Sequence, residues 1–268
     1  GRECLSGLAA LPMERPCEHC LRGTRLVAML ATLRPDAYLA RIGIDEPVAL
    51  DVDGLERLQR AHLTRVPFEN LDVFARREVR TDIDWSVPKV VERGRGGWCY
   101  ELNGAFAWLL GELGFDVKQL GATVLLKRPD PMERGHLALE VTLERPYLVD
   151  VGFGDTFIRP LPLDDPGPHD GGTGTFHFDF GPETTLFHDG PDGPEPQYRF
   201  GPRAYGADDF IEQSRHKWSD PRQKWCQQPF ATRLIDGGPD RVTLLHDRLK
   251  LRRKGEWSER LVEPGREW

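Results

Sequence analysis

The chain has 268 residues, 39% apolar and 29% charged, with 36 basic against 43 acidic side chains and a formal charge of −7. That size supports a large core and more than one compact unit. The acidic balance is a poor match for nucleic acid, whose binding rests on neutralising phosphates, and no apolar run approaches the roughly 20 residues of a spanning helix. Neither nucleic acid nor a membrane is therefore an expected partner. Leu5 to Leu11 is preceded by Arg2 and Glu3 and followed by no cleavage site, so no secretory signal is read there. The five cysteines, Cys4, Cys17, Cys20, Cys99 and Cys226, are odd in number and scattered. That argues against a disulfide framework and fits a reducing cytoplasm.

Residues 1–28 carry three of those cysteines and little apolar periodicity, and Met29 offers a natural start. They read as an extension or tag outside the fold. Cys17-Glu18-His19-Cys20 is a single Cys-x-x-Cys with one nearby His, short of the four placed ligands a zinc site needs, so no metal is expected. From about 34 to 114 the pattern is helical. Asp36 is the expected cap of a helix carrying Tyr38, Leu39 and Ile42, and Asp53 precedes the stripe Leu55, Leu58 and Ala61. Ser86 before Val87 and Pro88 predicts a helix start with Pro in the first turn. Cys99 opens a helix whose Leu102, Phe106, Leu109, Leu110 and Leu113 share one face, and Gly114 ends it.

From about 116 to 200 the period falls to two. Thr123–Leu126, Leu137–Leu143, Tyr147–Val151, Phe176–Phe180 and Tyr198–Phe200 read as strands, punctuated by Gly/Pro/Asp clusters at 164–174 and 189–196. A barrel or a sandwich is expected. Residues 207–218 read as a helix, and Ala231–Ile235, Arg241–His246 and Arg248–Leu251 as a small terminal sheet.

Three residues stand out for chemistry. Cys99 follows Gly96, Gly97 and Trp98 at a helix start, where the macrodipole favours thiolate. The glycines let the backbone turn and leave room beside the sulfur. The same residue reads equally well as a small buried apolar side chain. His136 opens an apolar strand and needs a partner, although a lone His there reads first as a capped or surface residue. Asp150 interrupts an apolar run, costly unless paired, either with an imidazole or with the amides of the glycines that follow. Together they form a set of nucleophile, base and orienting carboxylate.

Longer segments carry a family resemblance. Val66-Pro67-Phe68-Glu69-Asn70-Leu71-Asp72, Arg95-Gly96-Gly97-Trp98-Cys99-Tyr100-Glu101-Leu102-Asn103 and Val149-Asp150-Val151-Gly152-Phe153-Gly154, with Tyr38-Leu39-Ala40-Arg41-Ile42-Gly43, resemble the arylamine N-acetyltransferase family over about 34 to 251. The resemblance implies an α+β fold around a cysteine-protease-like Cys-His-Asp core. Residues 29–114 would form a helical bundle carrying the nucleophile, 115–206 a central β-barrel carrying His and Asp, and 207–268 a short C-terminal α/β lid.

The resemblance further implies a ping-pong reaction in which acetyl-CoA acylates Cys99 and an arylamine, hydrazine or hydroxylamine then takes the acetyl group. No permanently bound cofactor is implied; acetyl-CoA is a substrate. Cys99, His136 and Asp150 carry over as nucleophile, base and orienter. Phe153 carries over to the acceptor pocket, and Gly152 and Gly154 to the CoA end. Arg95 and Glu69, joined by Asp72, carry over as an ion-pair scaffold under the cysteine loop, buried because Phe68, Leu71 and Trp98 surround it.

The chain departs from the family pattern at Asp155, where a glycine often stands, and in its short C-terminus. Asp155 is expected to face the acceptor or to be a solvated loop carboxylate. A trimmed lid would favour an amide synthase that takes its acyl group from an acyl carrier protein and closes a macrolactam. A cysteine hydrolase or transglutaminase-like enzyme, and a non-catalytic binding protein on the same scaffold, are the more distant alternatives. Lys217, Arg222 and Lys224 read as a solvated basic face or as phosphate contacts near the CoA entrance. His216, Trp218, Trp225 and Cys226 read as lid packing.

Overall fold

Residues 33–126 and 131–263 are described by a computed structural model. The 1–28 extension, the Cys17-Glu18-His19-Cys20 segment and the start at Met29 lie outside the described residues.

The helical stretch opens with α1 (Pro35–Ile42), closed by Gly43 in the left-handed region at φ 76°. Asp36 is not its cap. Arg34 takes that position, and Asp36 lies in the first turn, where its charge meets the positive helix end and Arg34. Helix α2 (Val52–Arg65) is capped two residues earlier than Asp53, by Asp51, whose carboxylate accepts from the Gly54 amide at 2.8 Å. A two-residue strand β1 (Phe68–Glu69) and the turn-length α3 (Leu71–Phe74) follow.

Helix α4 (Ile83–Val91) starts at an Asp82 cap, ahead of the expected Ser86. Pro88 sits in its interior. Its ring removes one rung, and the turn before it is held by the Asp82 cap and by the Ser86 hydroxyl donating to the Asp82 carbonyl. Helix α5 (Cys99–Leu113) ends at Gly114, φ 99°. It is buried along nearly its whole length because it runs between α4 and the strands that follow.

Eight antiparallel strands come next: β2 (Asp116–Val124), β3 (His136–Thr142), β4 (Pro146–Val149), β5 (Leu161–Pro162), β6 (His169–Asp170), β7 (Thr175–Asp179), β8 (Thr184–Gly190) and β9 (Gly193–Ala204). Their order is β5-β4-β3-β2-β9-β8-β7-β6. The two edges come close together. Ile158 N–H donates to the Gly171 carbonyl at 2.7 Å, and the Phe157 and Phe176 rings meet edge to face at 5.8 Å. The sheet is thus a nearly closed barrel around Leu120, Ala138, Leu148, Phe176, Leu186 and Tyr198. It resolves the choice between barrel and sandwich by curling, because one apolar face is packed against itself.

A 3₁₀ turn (Ala207–Phe210) leads into α6 (Ile211–Ser219). The last strands are β10 (Phe230–Leu234), β11 (Arg241–Leu245), β12 (Arg248–Arg253) and β13 (Glu256–Leu261), the fourth of which had no counterpart among the expected strands. Their sheet runs β1-β10-β11-β12-β13. Phe68 pairs with Thr232 and Glu69 with Ala231, so a strand from the helical stretch belongs to the C-terminal sheet. The architecture is α+β. No helix among the described residues is long and apolar enough to cross a membrane.

Candidate active site

Cys99 is the first residue of α5, 5% exposed. The helix start is fixed by Glu101, whose Oε2 accepts from the Trp98 amide at 3.2 Å. The glycines before it serve close packing rather than an unusual φ. A Cβ on Gly96 would lie 1.9 Å from the Pro67 carbonyl oxygen, and one on Gly97 2.6 Å from Glu101 Oε2. The room they leave is therefore filled by protein.

His136, the first residue of β3, and Asp150, just past β4, are both buried. Adjacent antiparallel strands bring them together: His136 Nε2 lies 2.6 Å from Asp150 Oδ2. That leaves Nδ1 for the sulfur. Burial alone would lower the His136 pKa, but the Asp150 charge and hydrogen bond, with help from Cys99, raise it to about 9. Burial likewise opposes ionisation of Cys99. It is outweighed by the Lys217 charge, by the hydrogen bond and charge of His136, and by the Leu137 amide, which hold the thiol below its ordinary value.

Asn103, quoted within the cysteine motif but given no role from sequence, ties these elements together. Its Nδ2 donates to Asp150 Oδ1 at 2.9 Å and to the Leu137 carbonyl at 2.6 Å, and its Oδ1 accepts from the Val151 amide at 2.9 Å. Gly152 N–H gives Asp150 Oδ1 another donor at 2.8 Å. A Cβ on Gly152 would lie 2.7 Å from Cys99 Cα, so this close approach requires glycine. Gly154 takes φ 103° and faces Phe68 and Thr232. The Phe153 ring stands edge-on to the imidazole at 5.1 Å and to Tyr198 at 5.0 Å. The buried Tyr198 hydroxyl lies beside Asp150 without a bond of good geometry.

The scaffold residues form one network, buried at Glu69, Asp72, Lys89 and Glu101 and half-buried at Arg95. Arg95 donates to Glu69 Oε1 through Nε and Nη2 at 3.1 and 2.7 Å, and Nη2 lies 3.5 Å from Asp72. Lys89, unnoticed in the sequence, bridges Asp72 and Glu101 at 2.7 Å each. Burial opposes its charge, but the surrounding carboxylates hold its pKa above the ordinary value. Burial pushes the Glu101 carboxyl up despite Lys89.

Asp155 is exposed, as a loop carboxylate, and paired: Arg252 holds both its oxygens at 2.9 Å, and Arg241 Nε lies 3.0 Å away. One other expectation changes. Lys217 is not on a solvated face. It is buried, its Nζ donating to the Gly135 carbonyl. Arg222 is exposed and paired with Asp220, and Lys224 is exposed. Trp225 packs edge-on against Phe68 and Phe230, which fits the packing reading of that stretch. A cleft of about 730 Å³ lies elsewhere, lined in part by Arg57, Arg60, Arg65 and Arg233.

Residues 51–265 match the N-acetyltransferase family. The arylamine N-acetyltransferase of Escherichia coli is 41% identical over 129 residues, which cover 47% of this chain and 46% of that protein. The chain belongs to the arylamine N-acetyltransferase family. The Mycolicibacterium smegmatis enzyme is 39% identical over 135 residues, 47% of this chain and 49% of that one. The match thus spans about half the length of the curated relatives. Structural similarity runs further. The Salmonella typhimurium arylamine N-acetyltransferase aligns with a TM-score of 0.81 at 26% identity, covering 85% of each chain. The Mycobacterium marinum member of the family, solved in complex with CoA, aligns at 0.79 and 29% identity over 86% of this chain and 87% of that one.

Proposed function

We propose that this chain is a cysteine acyltransferase that moves an acetyl group from acetyl-CoA to the nitrogen of an arylamine, hydrazine or arylhydroxylamine in two half-reactions. The observation that carries this reading is the Asp150–His136 bond beside a thiol at a helix start. The Cys99 thiolate adds to the thioester carbonyl. The bond from acyl carbon to CoA sulfur breaks, and CoA leaves as the thiol with the proton from His136. The acceptor nitrogen then adds to the acyl carbon and gives a proton to His136. Cleavage of the acyl–Cys99 bond returns the thiolate–imidazolium pair. The first amides of α5 lack carbonyl partners within the helix and serve as donors to the developing oxyanion.

In this reading Asp150 sets the ring tautomer, and Asn103 and Gly152 hold Asp150. The glycines at 152 and 154 serve the CoA end, and the relative from Mycobacterium marinum has been solved in complex with CoA. Phe153 and Asp155 border the acceptor. With Arg241 and Arg252 around it, Asp155 makes that border net positive, which disfavours cationic acceptors. The helical stretch up to 114 supplies the thiol, 115–206 the base and carboxylate, and 207–268 a cover. Glu69, Arg95 and Asp72 support the cysteine loop and take no part in the chemistry. A thiolate nucleophile fits a reducing compartment, the cytoplasm.

The test is intact-protein mass spectrometry after mixing with acetyl-CoA, with Cys99→Ala as control. One acetyl group gained by the native chain alone, and removed by an arylamine, is the expected result. An adduct discharged equally fast by water would mark a hydrolase. No adduct on a folded chain with a reactive Cys99 would overturn acetyl-CoA as donor and leave a carrier-bound acyl group to be tried.

A further inference from the structure

An ammonium buried beside a thiol needs a compensating charge. Lys217, near the end of α6, is 8% exposed. Its Nζ donates to the carbonyl of Gly135, the residue before His136. It also lies 5.5 Å from the Trp98 ring centroid and 5.0 Å from that of Tyr100, the two residues that flank Cys99. The ammonium is therefore fixed to the residue before His136 on one side and to the neighbours of Cys99 on the other. Its backbone is pinned as well: Ser214 Oγ donates to the Val79 carbonyl at 2.9 Å, and the Cys226 thiol to the Lys217 carbonyl at 3.3 Å.

We propose that Lys217 is a positioning residue whose ammonium is the fixed counter-charge of the Cys99 sulfur in the resting protein. This rests on Cys99 as the nucleophile. The charge balance supports it. A thiolate, an imidazolium and the Asp150 carboxylate leave one negative charge in a water-poor site, and Lys217 brings the set to neutrality. The other titratable groups facing the sulfur do not compete. Tyr100 on α5 and Tyr198 on β9 are phenols that burial pushes well above the ordinary value, and Arg134 acts on Tyr100 from the loop before β3. Among the charges acting on Cys99, that of Lys217 favours the thiolate most strongly. Once the sulfur is acylated its charge is gone, and Lys217 then disfavours the imidazolium. His136 is left neutral, the form that can take a proton from the incoming amine.

The test is the rate of Cys99 alkylation by iodoacetamide across about pH 5 to 10, read by intact mass on the full chain. Cys99→Ala reports the background from other thiols. Lys217→Gln keeps a donor for the Gly135 carbonyl and removes the charge; Lys217→Arg keeps the charge. The Gln variant is expected to titrate at least about one pH unit higher, which lowers its rate near pH 6 about tenfold, and the Arg variant to follow the native profile. Lys217→Met, an apolar side chain suited to a buried position, decides the matter if the Gln variant does not fold. A folded neutral variant whose profile superimposes on the native one would overturn the role of Lys217 while leaving Cys99 as nucleophile. A native Cys99 no more reactive than an ordinary thiol would instead overturn the nucleophile itself, and Lys217 with it.

Discussion

Asn103→Ala is the most informative single change to the site's frame. Asn103 is fully buried and makes three bonds that join α5 to β3 and to the end of β4. Truncation leaves the Leu137 carbonyl and the Val151 amide without those partners and takes one donor from Asp150. An unsatisfied buried group costs about 1–3 kcal/mol, so these three together cost about 3–6 kcal/mol after some refilling by water. For a domain of this size each kcal/mol lowers the melting temperature by about 2–4 °C, which puts the fall at about 6–24 °C. Thermal unfolding followed by circular dichroism measures it. Alkylation of Cys99 should also slow near neutral pH, because a carboxylate held by fewer donors no longer fixes the imidazole. A melting temperature within about 2 °C of the native chain, with unchanged alkylation, would refute the claim that Asn103 holds the site together.

Lys89→Met removes the cation shared by Asp72 and Glu101 and should destabilise the fold by about 3–5 kcal/mol, measured by urea titration; a loss under about 1 kcal/mol would show that the two carboxylates find other partners. Protonation of His136 is linked to stability. Its folded pKa, about 9, is above the ordinary 6.5, so its contribution is fully present below about pH 6.5 and is lost as pH rises through about 9. The thiol shift has the opposite sign, so the measurement belongs in Cys99→Ala. Its melting temperature should fall between about pH 6 and pH 9.5, and Asp150→Asn in the same background should remove most of that fall; parallel curves for the two proteins would sink the linkage.

Cys99, His136 and Asp150 were legible as candidates beside glycines or inside apolar strands, each with a structural reading of at least comparable weight, and the family resemblance joined them. Glu69, Arg95 and Asp72 were legible through the family resemblance, with their aromatic and aliphatic neighbours pointing to burial. Lys89 and Lys217 were not. Each lies in a helix with other polar residues, and only the packing decides that the ammonium points inward. Asn103 hides similarly within an apolar helix, since an amide gives no sign of its partners until the strands carrying Leu137 and Val151 are set against it. The partners of Asp155 were not legible, because Arg241 and Arg252 come from strands far along the chain. The helix at 83 was misplaced because Pro88 reads as a first-turn residue, whereas the real signal was the Asp82 cap.

The pairing of Phe68–Glu69 with Ala231 and Thr232 has a consequence for how the molecule is made. Glu69 anchors Arg95, and its amide donates to the Gly97 carbonyl at 2.8 Å, so the loop ahead of the thiol leans on this strand. The strand's partner β10 leaves the ribosome only after the whole barrel has been synthesised. So long-range a contact closes late in folding, after the loop entropy between its ends has been overcome. The nascent chain therefore carries its cysteine through the synthesis of the barrel without the brace that shapes its loop. The same late contact couples segments far apart in the sequence: loosening the last sheet at β10 releases β1, and with it the support of the loop that leads to Cys99.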